Sequence, residues 1–177
     1  MLFWTKDEYL KFSEAIMDKP LSFYAFEVLY WCGCRLGELL ALTPVDFDLV
    51  KGEDVITDPK TKKSIRVVSM PKFLVEEMRE YIELRDDIGP HDRLFGTTKS
   101  YLSHEMERGC NIAKVKRIRI HDLRHSHVSL LIEMGFSALA IAERVGHEAI
   151  DITYRYAHLF PSKQEEMETA LDVSRSA

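Results

Sequence analysis

Apolar residues recur at helical spacing along most of this chain, and short β-type runs interrupt them only between residues 46 and 70. Leu74, Met78 and Tyr81, for example, share one face of a predicted helix. Residues 21–31 are apolar all round, which is typical of a buried helix. We predict helices over residues 5–18, 20–31, 36–42, 71–85, 100–113, 121–134, 137–145, 152–158 and 162–173.

Local signals mark several of the helix ends. Thr5 and Glu8 form a capping-box pattern, and residues 162–165 form a second one. Gly33 and Gly146 each follow a helical run, where a glycine commonly ends the helix. The pattern therefore predicts compact helices joined by short connections.

Three short runs between residues 46 and 70 are rich in β-type residues, and turn signals separate them. The runs are Phe47-Asp48-Leu49, Val55-Ile56-Thr57 and Ile65-Arg66-Val67-Val68. We therefore predict an α+β fold, mainly α-helical, in which a helical domain carries a small three-stranded antiparallel sheet.

Composition indicates an ordinary globular chain, since 46% of the residues are hydrophobic and 30% are charged. The length of 177 residues suits one domain. No apolar run approaches the roughly 20 residues that a membrane-spanning helix needs. The first seven residues lack the basic start and the long apolar core of a signal peptide. The three cysteines suggest no disulfide framework, so we expect a reducing cytoplasm.

The net charge of −5 runs against the basic surface that a DNA-binding protein usually presents. The distribution is uneven, however, because residues 99–128 are basic and the tail after residue 162 is acidic. The basic side chains of the first segment are Lys99, Arg108, Lys114, Lys116, Arg117, Arg119 and Arg124. Charge alone leaves open whether this segment faces DNA or is an ordinary solvated surface.

Arg35 lies between a buried helix and the next helix. The N-terminus of that next helix adds positive potential, which suits an anion, and an arginine fork can grip a phosphate through two oxygens. The alternative is a structural arginine that caps the preceding helix or pairs with Glu38. Both interpretations fit the local sequence.

Two residues of one predicted helix, His121 and Arg124, are three positions apart and therefore share a face. The helix N-terminus disfavours a protonated His121, which suits an imidazole that accepts a proton. His125 lies four positions after His121, a spacing that zinc-binding helices also use. No third ligand presents itself, and Arg124 would repel a cation. We interpret His125 and His127 as structural residues or contacts to a DNA backbone.

His147 and Tyr156 stand nine positions apart near the end of the chain. His147 follows a predicted helix end, where it can donate to a phosphate or simply cap the helix. A tyrosine hydroxyl can act as a nucleophile that forms a covalent intermediate, although a tyrosine in a short helix usually packs in the core. Tyr154 competes with Tyr156 for the role of nucleophile.

In this order the candidates resemble the catalytic domain of the tyrosine recombinases, or phage integrases, over nearly the whole chain. The blocks that carry the resemblance are Gly33-Cys34-Arg35-Leu36-Gly37-Glu38, His121-Asp122-Leu123-Arg124, Gly146-His147 and Tyr156-Ala157-His158-Leu159. The last block favours Tyr156 over Tyr154, and it leaves Tyr154 and Phe160 as packing residues.

The resemblance implies that Tyr156 attacks a DNA phosphate and forms a 3′-phosphotyrosyl link, with no metal and no cofactor. Arg35 and Arg124 would neutralise the charge that builds on the phosphate. His147 would hydrogen-bond one of the phosphate oxygens.

Two further roles concern protons. The resemblance implies that His121 takes the proton of the tyrosine and that Lys60 protonates the leaving 5′ oxygen. Lys60 lies at the tip of a predicted hairpin, and Lys62 and Lys63 are alternatives for the same role.

The resemblance also implies a mobile-element enzyme, such as the integrase of a phage or a conjugative transposon, that binds double-stranded DNA as a homo-tetramer. A monomer is expected without DNA, and no membrane is involved. Residues 1–177 would form the single catalytic domain, without the N-terminal core-binding domain that recombinases generally carry. The helix over 162–173 would be an interaction element. Two rivals remain: a DNA-binding accessory module that is inactive in isolation, and a type IB topoisomerase-like enzyme.

Overall fold

The computed structural model of the protein describes residues 1–56, 65–147 and 149–176. Most of these residues are helical, as predicted. The helices are α1 (Lys6–Ala15), α2 (Pro20–Cys32), α3 (Leu36–Ala41), α4 (Lys72–Leu84), α5 (Lys99–Ala113), α6 (Asp122–Glu133), α7 (Ala138–Val145), α8 (Ala149–Arg155) and α9 (Gln164–Ser176). The predicted general acid Lys60, with its alternatives Lys62 and Lys63, lies outside the described residues.

The helix ends follow the local signals in the sequence. The Thr5 hydroxyl accepts from the backbone N–H of Glu8, and the Glu8 carboxylate accepts from the backbone N–H of Thr5, which is the predicted capping box. Gly33 ends α2 with φ 67° and Gly146 ends α7 with φ 72°. Both glycines take the left-handed conformation that other residues adopt only with strain.

Three short strands form one antiparallel sheet in the order β1 (Phe47–Asp48), β2 (Glu53–Ile56) and β3 (Arg66–Ser69). Phe47 pairs with Asp54, and Ile56 pairs with Arg66. Because β3 contacts α7, the sheet lies beside the helix that immediately precedes Gly146 and His147.

The last third of the chain departs from prediction at one helix boundary. The predicted helix over 152–158 is wrong, because α8 ends at Arg155 and a 3-10 turn, Ala157–Leu159, follows it. Tyr156 is therefore the junction residue between the two, with φ −114° and ψ 15°. The terminal helix α9 begins at Gln164 and all of its side chains are exposed.

Two hydrophobic clusters build the interior, and α6 contributes to both. The larger cluster joins α1, α2, α4 and α5 and includes Leu123 of α6. The smaller joins α6, α7 and α8 around Val128, Val145 and Tyr156. Helix α6 is therefore buried on nearly every side, which explains why polar residues such as Asp122 lie in the interior.

No helix within the described residues is long and apolar enough to cross a membrane.

Candidate active site

The site begins where α2 stops against α6. A Cβ on Gly33 would lie 2.4 Å from Cδ2 of His127, so the approach of the two elements leaves no room for a side chain. The Gly33 carbonyl accepts a hydrogen bond of 2.7 Å from Nη1 of Arg124. Glycine is thus required here both by its positive φ and by the close approach, and its carbonyl fixes one side of the Arg124 guanidinium.

Arg35 is the residue that precedes α3. Its Nη1 donates to Oε1 of Glu38 at 3.0 Å, and its backbone N–H donates to Oε2 at 2.7 Å. The predicted pairing with Glu38 therefore exists, yet the Arg35 side chain stays 35% exposed. A guanidinium held at one edge and open at the other can still bind an anion.

Arg124 lies in the first turn of α6, and only 2% of it is exposed. It donates to the carbonyls of Gly33 and Val145. Its Nε is buried and has no hydrogen-bond partner among the described residues. Burial, together with the positive charges of Arg35 and Arg66, lowers the pKa of Arg124 to about 10. No carboxylate among the described residues forms an ion pair with this guanidinium, so its charge favours an anion.

A buried ion-pair network, which sequence reasoning missed, ties the walls of the site together. Arg66 of β3 donates to Glu38 through two bonds, Nη1 to Oε1 at 2.9 Å and Nη2 to Oε2 at 3.1 Å. Its Nε donates to the backbone carbonyl of Arg144 at 3.0 Å. Glu38 is 2% exposed, and although burial opposes ionisation, Arg66 and Arg35 lower its pKa. The one signal available in the sequence was a charged residue within the otherwise apolar run of β3.

Arg144 continues this network on α7. It donates to the carbonyls of Ser69 and Trp31, both at 2.9 Å, and to Nε2 of His127 at 3.1 Å. His127 is 3% exposed, and burial lowers its pKa to about 3. His127 is therefore a structural residue, one of the two interpretations open from the sequence, and Arg144 anchors α7 to β3 and to the end of α2.

His147 follows Gly146 immediately after α7. Its backbone N–H donates to the carbonyl of Ala142 at 3.1 Å. Its Nδ1 is buried without a hydrogen-bond partner among the described residues. Burial and the charges of Arg124 and Arg35 lower the pKa of His147 to about 4, so the ring is neutral at physiological pH.

His121 precedes α6 and is exposed. Partial burial of the ring and the charge of Arg124 lower its pKa, with a smaller effect from Arg35. The same two arginines therefore act on both His121 and His147, so Arg35, the pair His121 and Arg124, and His147, from three separate segments of the chain, share one positive region. This is where the structure places four of the predicted site residues.

Tyr156 is 1% exposed, and its hydroxyl meets Nδ1 of His125 at 2.5 Å. Burial raises the pKa of Tyr156, while Arg155 and Arg124 oppose that shift. The charge of Arg124 thus acts on Tyr156 as well as on His121 and His147. The hydrogen bond to His125 was not foreseen, because the sequence does not show that α6 also faces the segment after α8.

Tyr154, the competing tyrosine, is 78% exposed. The expectation that it packs in the interior is therefore wrong, because it lies on the outer side of α8, one residue before the helix ends. Phe160, by contrast, is partly buried against the smaller hydrophobic cluster, as expected of a packing residue.

The zinc interpretation of His121 and His125 gains no further ligand. Over the described ranges, no group of three or more His, Cys, Asp or Glu could hold a metal ion.

Comparison of the sequence and of the fold with known proteins identifies the family of this chain. The sequence pattern of the phage integrase family matches residues 3–163, and the chain belongs to that family. The ICEBs1 integrase of Bacillus subtilis is 34% identical over 97% of this chain. A crystal structure of XerA recombinase superposes with a TM-score of 0.78 at 25% identity and covers 96% of this chain. The XerH site-specific recombinase bound to its difH substrate shares the fold, with a TM-score of 0.75 at 23% identity over 96% of this chain.

The chain is shorter than these relatives. It spans 54% of the ICEBs1 integrase, 63% of the XerA chain and 53% of the XerH chain.

Proposed function

We propose that this chain is the DNA-cleaving and DNA-rejoining domain of a site-specific recombinase, in which Tyr156 is the nucleophile. The observation that carries the proposal is that Nε of Arg124 and Nδ1 of His147 are two of the buried polar atoms without a hydrogen-bond partner among the described residues. The positive charges of Arg124 and Arg35 both act on His147. Buried polar groups without partners are rare, and a phosphate oxygen satisfies them.

Each residue of the positive region has a role in this chemistry. Tyr156 attacks the scissile phosphate and forms a 3′-phosphotyrosyl link. Arg35 and Arg124 stabilise the charge that develops on the non-bridging oxygens, where fixed donors in a water-poor site are most effective. His147 hydrogen-bonds one of those oxygens. The energy of the broken phosphodiester stays in the phosphotyrosyl link, so rejoining needs no ATP.

Protons must leave the tyrosine and reach the departing 5′ oxygen. Lys60 supplies the second proton in this proposal, with Lys62 and Lys63 as alternatives. For the first proton, the family resemblance favours His121, whereas the hydrogen bond of Tyr156 favours His125.

Double-stranded DNA is the proposed partner, and the proteins with the same fold include one bound to its difH substrate. We further propose that residues 1–177 act as one catalytic domain. On DNA, α9 would pack against a neighbouring copy in a tetramer. Its side chains Met167, Leu171 and Val173 are 55%, 71% and 64% exposed. So narrow an apolar stripe can dock in a groove but cannot build a core of its own.

A second candidate function has one observation in its favour. Since Tyr156 is 1% exposed, the isolated chain holds its hydroxyl away from solvent, as a DNA-binding module that is inactive alone would also do. Under this reading the chain binds DNA and forms no covalent link without a partner.

A pool of duplexes separates the two functions. Each duplex carries one nick and random sequence on both sides. A cleaved strand therefore loses the short downstream fragment that carries the new 5′ hydroxyl, and rejoining is blocked. Strands that stay attached to the protein in hot detergent are recovered and sequenced. The wild type should yield attached strands of related sequence, whereas Tyr156→Phe should yield none while retaining noncovalent binding. Tyr154→Phe is the matched control and should behave like the wild type; binding without attachment by the wild type would support the module instead.

A further inference from the structure

The hydroxyl of the proposed nucleophile has a fixed partner inside the protein. Nδ1 of His125 lies 2.5 Å from the oxygen of Tyr156, and their ring centroids are 5.7 Å apart at an angle of 55°. The two residues are 31 positions apart, on α6 and after α8. Only 7% of His125 and 1% of Tyr156 are exposed, so water does not compete for this hydrogen bond.

A buried carboxylate faces the other side of the imidazole. Oδ1 of Asp122 lies 3.9 Å from Nε2 of His125, one turn earlier on α6. Asp122 is fully buried and is itself held by Arg119, whose Nη2 donates to Oδ1 at 2.8 Å and whose Nε donates to Oδ2 at 3.1 Å. A negative charge beside Nε2 favours the tautomer with its proton on Nε2. We assign that tautomer, which leaves the Nδ1 lone pair to accept from the tyrosine hydroxyl.

We propose that His125 is a catalytic residue that takes the proton of the Tyr156 hydroxyl during attack on DNA, and that Asp122 positions its ring. This inference rests on the proposed function and specifies its first proton transfer.

The step conserves atoms and charge. The O–H bond of Tyr156 breaks and its proton passes to Nδ1 of His125, while an oxygen lone pair forms the new bond to phosphorus. The bond from phosphorus to the 5′ oxygen breaks, and that oxygen leaves with its electron pair and takes a proton from the general acid of the site. When a 5′ hydroxyl later attacks the phosphotyrosyl link, its proton passes to the conjugate base of that general acid, and His125 returns its own proton to the released tyrosine.

The surroundings of His125 keep it neutral, as a proton acceptor must be. Burial lowers the pKa of His125 to about 4, and the charges of His121, Arg155 and Arg119 contribute to this lowering. The negative charge of Asp122 acts in the opposite direction and raises the pKa. Burial raises the pKa of the tyrosine in contrast. Because the tyrosine therefore holds its proton more tightly than His125 would, the transfer accompanies formation of the bond to phosphorus, which makes the phenol acidic.

His121 is the less suitable acceptor by position. Its ring is 5.2 Å from that of His125 and perpendicular to it. The charges that act on it most are those of Arg124 and Asp122. Among the described residues, the Tyr156 hydroxyl makes its hydrogen bond to His125 and none to His121.

Nitrogen NMR of the histidine side chains tests the hydrogen bond without DNA. The full 177-residue chain is labelled with ¹⁵N and ¹³C, and the His125 ring signals are assigned by through-bond correlation to the assigned backbone. We expect an unprotonated Nδ1 whose resonance is shifted by the hydrogen bond in the wild type and moves to the position of a free acceptor in Tyr156→Phe. A proton on Nδ1, or a resonance that is the same in the two proteins, would overturn the inference.

Single-turnover kinetics tests the proton transfer, with a strand recovered from the random pool and with its analogue that carries sulfur at the 5′ bridging position. Sulfur leaves without a general acid, so it rescues a variant that lacks the acid but not one that lacks the base. His125→Asn keeps an acceptor atom close to the Nδ1 position yet cannot take a proton. Its rate of attachment should fall by about 10²–10⁴ with both substrates. His104→Asn, on the exposed face of α5, is the matched control and should keep the wild-type rate.

The outcomes separate this inference from the function on which it rests. Attachment by the wild type together with a His125→Asn rate within threefold of it, or rescue of His125→Asn by sulfur, overturns the role of His125 and leaves the recombinase proposal intact. No attachment by the wild type overturns the proposed function itself. If His125→Asn fails to fold, the NMR comparison of the wild type with Tyr156→Phe still decides whether the hydrogen bond exists.

Discussion

Replacing Glu38 by glutamine should destabilise the protein strongly, because Glu38 is the one carboxylate among the described residues that pairs with the buried Arg66. The Arg66 side chain is 9% exposed, and it gives both nitrogens of its fork to that carboxylate. Removing one partner of a buried ion pair costs about 3–5 kcal/mol, since the other charge is left uncompensated. The Arg35 pair adds little to this figure, because Arg35 is 35% exposed and water screens its charge.

The lower end of this range is expected, because glutamine keeps one acceptor oxygen. A loss of about 3 kcal/mol corresponds to a fall in Tm of roughly 6–12 °C for a domain of this size, at about 2–4 °C per kcal/mol. Urea denaturation monitored by circular dichroism gives the free energy of unfolding, and a thermal scan gives Tm. The matched control is Glu76→Gln, whose partner Arg79 is 41% exposed, and it should change stability by less than about 0.5 kcal/mol.

The pH dependence of the same comparison has a definite sign. The folded protein holds the pKa of Glu38 below its ordinary value, so the ion pair stabilises the fold above the unfolded pKa of about 4.3 and loses that effect as the pH falls. The difference between wild type and Glu38→Gln should therefore be constant from about pH 6 to 8 and shrink below about pH 4. Equal stability losses in Glu38→Gln and Glu76→Gln would show that the buried ion pair of Glu38 and Arg66 does not stabilise the fold.

Three further predictions follow from the same geometry. Gly33→Ala should lower the free energy of unfolding in urea by about 2–5 kcal/mol, from strain at positive φ and from overlap with His127. Gly37→Ala, whose new Cβ would meet no described atom within 4 Å, should instead stabilise α3 by about 0.5–1 kcal/mol. Similar effects of the two substitutions would contradict the close approach of α2 to His127. Arg124→Lys should slow attachment by about 10²–10³ in single-turnover assays, since a point charge replaces a fork; a rate near that of the wild type would count against Arg124 as a phosphate ligand. Truncation after Pro161 should change the free energy of unfolding by less than about 1 kcal/mol, because α9 is exposed throughout, yet should abolish tetramers on DNA in sedimentation; a large stability loss with intact assembly would show that α9 belongs to the core.

Much of the fold was predictable because its signals are local. The capping box at Thr5 marks the start of α1, and the glycines after α2 and α7 mark the ends of those helices. Each of these signals depends only on residues that are neighbours in the sequence. The helix end at Tyr156 was predicted wrongly because it does not depend on a local signal. Packing of Tyr156 into the smaller hydrophobic cluster sets its position, and the neighbouring residues do not indicate that packing.

The site was less predictable from the residues than from the family resemblance. Arg35 and Arg124 are 89 positions apart, and nothing in their separate sequence contexts places them on one anion. The Glu38–Arg66 pair joins α3 to β3 across 28 positions. It was missed because a single arginine in a predicted strand is usually interpreted as a residue that faces solvent. His125 was undervalued because α6 is buried on nearly every side, so helical spacing did not reveal which neighbour it meets.

The residue that carries the DNA can be identified directly in the attached complex. The attached complex is digested with protease and nuclease, and the peptide that bears a nucleotide is sequenced by mass spectrometry. We expect one modified peptide, with a 3′-phosphonucleotide on Tyr156 and an unmodified Tyr154, and an equal yield when a strong chelator is present. A nucleotide on Tyr154 or on any other residue, or attachment through a 5′ phosphate, would contradict this expectation.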